Sequence, residues 1–269
     1  MSLDYLSHFG LSADPFGKDI SDAELWMPPS KQSLVEDLTD AMHARASALL
    51  TGEPGVGKTC VLRALRQALT PANFRLVYCQ NATVGRRDFY RHLCIALGLA
   101  KVSTAGDLFM AVSAHVEDLA KERVCPVFLV DEAHLLPDAS LEDLRLLTGE
   151  SLERRSPFAL ILAGQPLLRE RLVEPQHYAL AQRIAVRISL RALTDSDVAL
   201  FLDKHLRAAG ATRNLFDPDA VTLLFQHSRG VPRILQNLAL AALMAAAAGG
   251  KKLVDADSIQ QALLEQEAP

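Results

Sequence analysis

The run Thr51-Gly52-Glu53-Pro54-Gly55-Val56-Gly57-Lys58-Thr59 constrains this chain more than any other stretch. Gly52, Gly57, Lys58 and Thr59 occupy the fixed positions of G-x-x-x-x-G-K-[ST], a loop that cradles nucleotide phosphates. Glycines let the loop turn tightly enough for successive backbone N–H groups to converge on phosphate oxygens. Lys58 brings a point charge for the β and γ oxygens, and the Thr59 hydroxyl is a ligand for Mg²⁺. Glu53, Pro54, Gly55 and Val56 complete the cradle, and Cys60 follows it. Ala48-Leu49-Leu50 upstream is an apolar run suited to a buried strand. Thr59 to Leu69 downstream has helical spacing, which sets the phosphates at a helix N-terminus. The predicted ligands are ATP and Mg²⁺.

From here the chain alternates strand and helix. Strands are expected at Phe74 to Cys79, Val124 to Val130, Phe158 to Ala163 and Arg187 to Leu190. Helices are expected at Arg87 to Leu97, Leu108 to Lys121 and Ser140 to Leu147, and an earlier one from an N-cap at Ser30 to about Ala46. Such alternation predicts a parallel sheet covered on both faces. Residues 1–30 read as irregular. Beyond about residue 192 only helices are expected: Asp195 to Ala209, Pro218 to Ser228, Arg233 to Ala248 and Asp255 to Glu265. The domains are therefore an N-terminal segment (1–30), a sheet core (31–191) and a helical module (192–269).

Val127-Phe128-Leu129-Val130-Asp131-Glu132 supplies the second half of the nucleotide site. A buried strand ending in an acidic pair delivers Asp131 to Mg²⁺ and sets Glu132 to polarise the attacking water. His134 reads as a helix-start residue or one supporting the site from behind. Gln165 follows the Phe158 to Ala163 strand, where it would meet the γ-phosphate or the water. Arg183 lies past the sheet edge, suited to completing a neighbouring subunit's site as an arginine finger, with Arg171 and Arg187 as rivals. Arg233 opens a helix of the C-terminal module and would bend over the γ-phosphate to report nucleotide state.

Bulk composition narrows the partners. Net charge is −4 and aromatic residues make up 6%. A global basic field for nucleic acid and a stacking platform for single strands are thereby disfavoured, though a local basic face is not. Cys60, Cys79, Cys94 and Cys125 lack metal-ligand spacing and read as reduced interior thiols. No signal peptide is visible, and the apolar run Leu238 to Ala248 is too short to span a bilayer. The expected location is cytoplasmic.

Together these residues make the chain resemble an AAA+ ATPase, specifically the ExeA/GspA-like group. The resemblance rests on Tyr5-Leu6-Ser7-His8-Phe9-Gly10-Leu11 with Pro15-Phe16, the phosphate loop and Leu129-Val130-Asp131-Glu132-Ala133-His134. It extends over Ala163 to Leu172, Gln182-Arg183-Ile184 and Gly230-Val231-Pro232-Arg233. It implies a P-loop NTPase αβα core with a five-stranded parallel sheet, then a small all-helical AAA+ lid. It also implies nucleotide-dependent oligomers with ATP at subunit interfaces, and Pro15 and Phe16 packed near the adenine. Full ExeA proteins continue into a transmembrane helix and a peptidoglycan-binding region. This chain stops at Pro269, so direct membrane insertion is not expected.

Soluble ATPases of this build are also similar to the transposition regulators typified by Mu B, TniB, TnsC and IstB. That similarity implies an ATP-dependent ring or filament on duplex DNA and a transposase partner. Arg86 and Arg87, and more weakly Lys101, are the candidate phosphate contacts, multiplied by polymerisation. DNA transposition is the first biological reading. The alternatives are a secretion-pathway ATPase acting through a membrane partner and a weakly hydrolysing scaffold.

Overall fold

Five apolar runs pair in parallel in the computed structural model, which describes residues 4–17, 25–79, 86–99, 104–149, 156 and 158–267. The strands are β1 (Ser47–Thr51), β2 (Phe74–Cys79), β3 (Cys125–Val130), β4 (Ala159–Gly164) and β5 (Ile184–Ser189), in the order β2-β3-β4-β1-β5. Every residue of β1, β3 and β4 is buried, whereas β2 and β5 at the edges alternate with exposed positions. That is the burial expected when helices cover both faces of a parallel sheet. The helices of this part are α3 (Lys58–Ala68), α4 (Arg86–Leu97), α5 (Ala105–Lys121), α6 (Asp138–Gly149), α7 (Leu167–Leu172) and α8 (Tyr178–Arg183). A core running from Leu49 through Phe128 and Phe158 to Ile184 holds α4 to α8, and α3 buries Val61, Leu62 and Leu65.

Two compact units emerge. One comprises residues 33–54 and 58–190 and contains the sheet; the other comprises residues 1–32, 55–57 and 191–269. The second unit is helical: α9 (Asp195–Ala208), α10 (Pro218–Ser228), α11 (Pro232–Ala248) and α12 (Ala256–Glu267), with α1 (Asp4–Phe9) among them. Asp217 caps α10 through Ala220 N–H, and Pro218 occupies a first-turn position where no N–H is required. Asp255 accepts from Ser258 N–H at 3.0 Å at the start of α12. Phe16 stacks on Phe201 at 6.4 Å, which ties the N-terminal segment into this helical core.

Several expectations need correction. Residues 4–9 form a helix in a segment read as irregular, because Tyr5 and Leu11 have an apolar core to enter. The helix expected from an N-cap at Ser30 is α2 (Pro29–His43): proline supplies its first residue, and the Ser30 hydroxyl instead donates to Asp197 at 2.7 Å. It stops before Arg45, whose φ is 53°. The last strand begins at Ile184, three residues earlier than expected, through pairing with β1 that no local pattern announces. Cys60 is exposed, since Val61, Leu62 and Leu65 form the buried face of α3; the other three thiols are buried.

Candidate active site

The loop that follows β1 is built by two strained-looking but glycine-compatible turns, with φ of 82° at Gly55 and 101° at Gly57. Its first residue is pinned to the neighbouring strand, Gly52 N–H donating to Gly164 O at 3.2 Å. Lys58 is buried at the head of α3, and its ammonium donates to Gly52 O at 2.8 Å and Glu53 O at 3.1 Å. Its charge is thereby folded over the mouth of the loop. Glu53, Pro54, Thr59 and Cys60 are exposed, whereas Gly52 and Val56 are buried.

Asp131 immediately follows β3, two strands away from β1 with β4 between them. Its Oδ2 lies 3.4 Å from the Thr59 hydroxyl and 3.1 Å from the Tyr78 phenol, while its Oδ1 accepts from Glu132 N–H at 2.9 Å. Burial, then the charge of Asp131 and the hydrogen bond to it, push the Tyr78 phenol above its ordinary value, so it stays a donor. A hydroxyl and a carboxylate oxygen meeting at a helix N-terminus is a hard-oxygen donor set that suits Mg²⁺. Among the described residues no cluster of three or more His, Cys, Asp or Glu converges, so phosphate and water oxygens would fill the other positions.

Glu132 adopts the left-handed conformation, φ 52° and ψ 33°, at a cost of about 1–3 kcal/mol for a non-glycine residue. The turn holds it there: its carbonyl accepts from Leu135 N–H at 2.9 Å, and its carboxylate lies 3.4 Å from His134 Nδ1. Its side chain is 45% exposed, open to water, while that of His134 is buried. Gln165 follows Gly164, which is in register with Thr51, so the strand ends bring Gln165 beside Gly52.

Arg171 donates to His134 O at 2.7 Å and pairs with Asp138, which also meets His177 at 3.0 Å. Among the three rival arginines it is therefore engaged in bracing its own acidic turn. Arg183 ends α8 and donates to Arg145 O; Arg187, within β5, donates to Ala181 O at 2.7 Å. Because β1 and β5 run parallel, Arg183 sits at the opposite end of the sheet from Gly52. A five-residue strand at about 3.3 Å per residue separates them by roughly 16 Å.

In the helical unit, Arg233 N–H donates to Gly55 O at 3.4 Å, and a Cβ on Gly55 would lie 3.0 Å from Arg233 Cβ. Pro15 and Phe16 are buried in the same unit, where Pro15 O lies 3.0 Å from His205 Nδ1. Arg86 and Arg87 are the first two residues of α4, which begins one residue earlier than expected; Arg87 is exposed. Lys101 lies outside the described residues.

Two residues escaped the sequence reading. Tyr78 looked like an ordinary strand aromatic, and only the pairing of β2 with β3, which sets it opposite Leu129, brings it to Asp131. Lys31 is buried and donates to Val56 O at 3.1 Å, bracing the phosphate loop from a distant stretch of chain. A lysine near a helix start carries no such signal by itself.

The AAA domain family matches residues 28–172. General secretion pathway protein A of Aeromonas hydrophila is 35% identical over 258 residues, covering 94% of this chain and 47% of that protein. The chain thus spans about half the length of that relative. Among solved structures, Drosophila ORC bound to DNA is similar with a TM-score of 0.71 at 18% identity, covering 99% of this chain and 66% of that one. The Aeropyrum pernix ORC1 protein in complex with DNA gives 0.69 at 17%, with 94% and 69% covered. The Thermotoga maritima RuvB Holliday junction branch migration motor gives 0.54 at 18%, with 87% and 69% covered. At these identities the structures share a fold with this chain.

Proposed function

This chain belongs to the AAA domain family, and from that premise we propose that it is an ATPase whose site is completed by a second subunit. The observation that carries the reading is the approach of Thr59 Oγ1 to Asp131 Oδ2, 3.4 Å apart beside the phosphate loop. Thr59 and Asp131 would hold Mg²⁺, which when bound neutralises charge on the β- and γ-phosphates. Lys58, released from the Gly52 and Glu53 carbonyls, binds the γ-phosphate oxygens. Glu132 accepts the proton of the attacking water as general base, from a strained turn that fixes its backbone. Gln165 hydrogen-bonds the γ-phosphate or the water, and Arg233, whose N–H meets Gly55 O, reports nucleotide state. Arg183, far from its own loop, neutralises transition-state charge in a neighbour. Pro15 and Phe16 belong near the adenine.

Release of phosphate from Mg·ATP by the purified chain, and its loss in Glu132→Gln, tests this reading. The variant keeps nucleotide and accumulates as an ATP-bound oligomer. Unchanged turnover in Glu132→Gln removes Glu132 from the role.

Identity of 35% over 94% of the chain favours work of the general secretion type, as an ExeA/GspA-like ATPase acting with a membrane partner. No helix among the described residues is long and apolar enough to cross a membrane, so attachment would come from another segment or from that partner. A second reading, regulation of DNA transposition on duplex DNA, draws on the exposed Arg87 at the head of α4. Oligomerisation would multiply such contacts and make binding fall steeply with salt. Duplex DNA that neither shifts in a gel nor raises ATPase across a salt series eliminates it.

A further inference from the structure

His134 stands where the acidic turn meets the end of β4. Its Nδ1 lies 3.4 Å from Glu132 Oε2 and 3.4 Å from the backbone nitrogen of Gln165. The imidazole is buried, with 6% of the side chain exposed, and Arg171 fixes the residue by donating to its carbonyl. The fold also makes room for the ring. A Cβ on Gly164 would lie 3.2 Å from His134 Nδ1, 3.2 Å from its backbone nitrogen and 3.1 Å from Leu168 Cδ2. Gly164 does not adopt a positive φ, so glycine serves close approach there and not backbone conformation.

One ring nitrogen cannot satisfy both neighbours together. With the proton on Nε2, Nδ1 accepts from Gln165 N–H; with the proton on Nδ1, it donates to the Glu132 carboxylate. We propose that His134 is a positioning residue that holds Glu132 through Nδ1 and exchanges that contact for the N–H of Gln165. Glu132 and the strand end that would read the γ-phosphate then move as a pair. When Gln165 N–H turns to another acceptor, the ring takes up a proton at Nδ1 and gives one up to water at Nε2, so that Nδ1 donates to Glu132; when the N–H returns, the proton exchange reverses and the carboxylate is released. This inference rests on the ATPase reading above, and it concerns how the general base is oriented.

The two ring nitrogens give a discriminating test. Asparagine places a polar atom close to the position of Nδ1, and glutamine places one close to Nε2, although glutamine fills the cavity better. Steady-state ATPase of the full chain is measured for wild type, Glu132→Gln, His134→Asn, His134→Gln and Gly164→Ala, with nucleotide affinity and thermal unfolding alongside. His134→Asn retains most of the turnover. His134→Gln loses about tenfold or more in kcat, a share of what a general base supplies, with KM for ATP little changed. Gly164→Ala displaces the ring and lowers kcat in the same way, and combining it with His134→Gln adds little further loss.

Glutamine matching or exceeding asparagine, or additive losses in the double variant, overturns the proposal while an inactive Glu132→Gln leaves the ATPase reading standing. Turnover indifferent to Glu132→Gln overturns the proposal and removes Glu132 from its role, whereas a wild-type chain with no turnover removes the ATPase reading as well. A variant that unfolds early is replaced in the comparison by Gly164→Ala, which leaves the histidine itself in place.

Discussion

The Tyr78 phenol donates to Asp131 Oδ2 across 3.1 Å, the same carboxylate oxygen that Thr59 reaches at 3.4 Å. One strand thus steadies the acid that another delivers to the proposed metal. Tyr78→Phe keeps the ring and deletes the donor. The Mg²⁺ concentration for half-maximal turnover rises about tenfold, the scale on which partners behind a metal ligand act. An unchanged Mg²⁺ titration would reduce Tyr78 to a packing residue.

Parallel pairing of β1 and β5 sets Arg183 at the far end of the sheet from Gly52, and its proposed role is in a neighbour's site. Arg183→Ala lowers kcat by about 10³-fold or more, as loss of an arginine finger does. Mixing Arg183→Ala with Lys58→Ala restores part of the activity, since each subunit supplies what the other lacks. Phosphate-release assays on the mixture check this; a mixture no more active than its parts excludes action between subunits.

Gly10 and Gly230 have nearly the same backbone, φ 69° and 70°, in different surroundings. A Cβ on Gly230 would sit 2.0 Å from Leu193 O, whereas one on Gly10 meets nothing within 4 Å. Gly10→Ala costs only left-handed strain, about 1–2 kcal/mol. Gly230→Ala adds the backbone clash and costs about 3 kcal/mol or more. Denaturant unfolding of the two variants separates the terms.

His205 gives the helical unit an acid sensitivity. Burial lowers its pKa, outweighing the opposing effect of the Pro15 carbonyl at 3.0 Å. The unfolded chain therefore takes up a proton first as pH falls. The stability lent by the neutral ring is complete above about pH 6.5 and is lost as pH drops from there through the lowered folded value. Melting temperatures recorded over this range decline in wild type. His205→Asn, which keeps a donor toward Pro15 but does not titrate, declines less.

Much of the site was legible because its requirements are local. Gly55 and Gly57 need positive φ, Lys58 and Thr59 need to begin a helix, and Asp131 needs to end a buried strand; each demand leaves a mark on adjacent residues. The helices after Asp195 were legible for a similar reason, with Asp217-Pro218 and Asp255 announcing their starts. Segments stabilised by distant partners were not. Residues 4–9 fold as a helix against apolar residues two hundred positions away in sequence, and Ile184 joins the sheet only because Ser47 pairs with it.

By itself, then, the sequence determined a phosphate loop at a helix N-terminus, an acidic pair after a buried strand and an all-helical C-terminal part. These follow from backbone conformation and hydrophobic period, which act over a few residues. Tertiary structure alone decided that β4 lies between β1 and β3, because strand order depends on which distant apolar faces bury one another. That placement puts Gln165 beside Gly52, and His134 against Gly164 between Glu132 and Gln165. It also decided that Tyr78 meets Asp131 and that Arg183 lies at the other end of the sheet from its own loop. Such neighbours are set by register across a sheet, a relationship that no single stretch of chain contains.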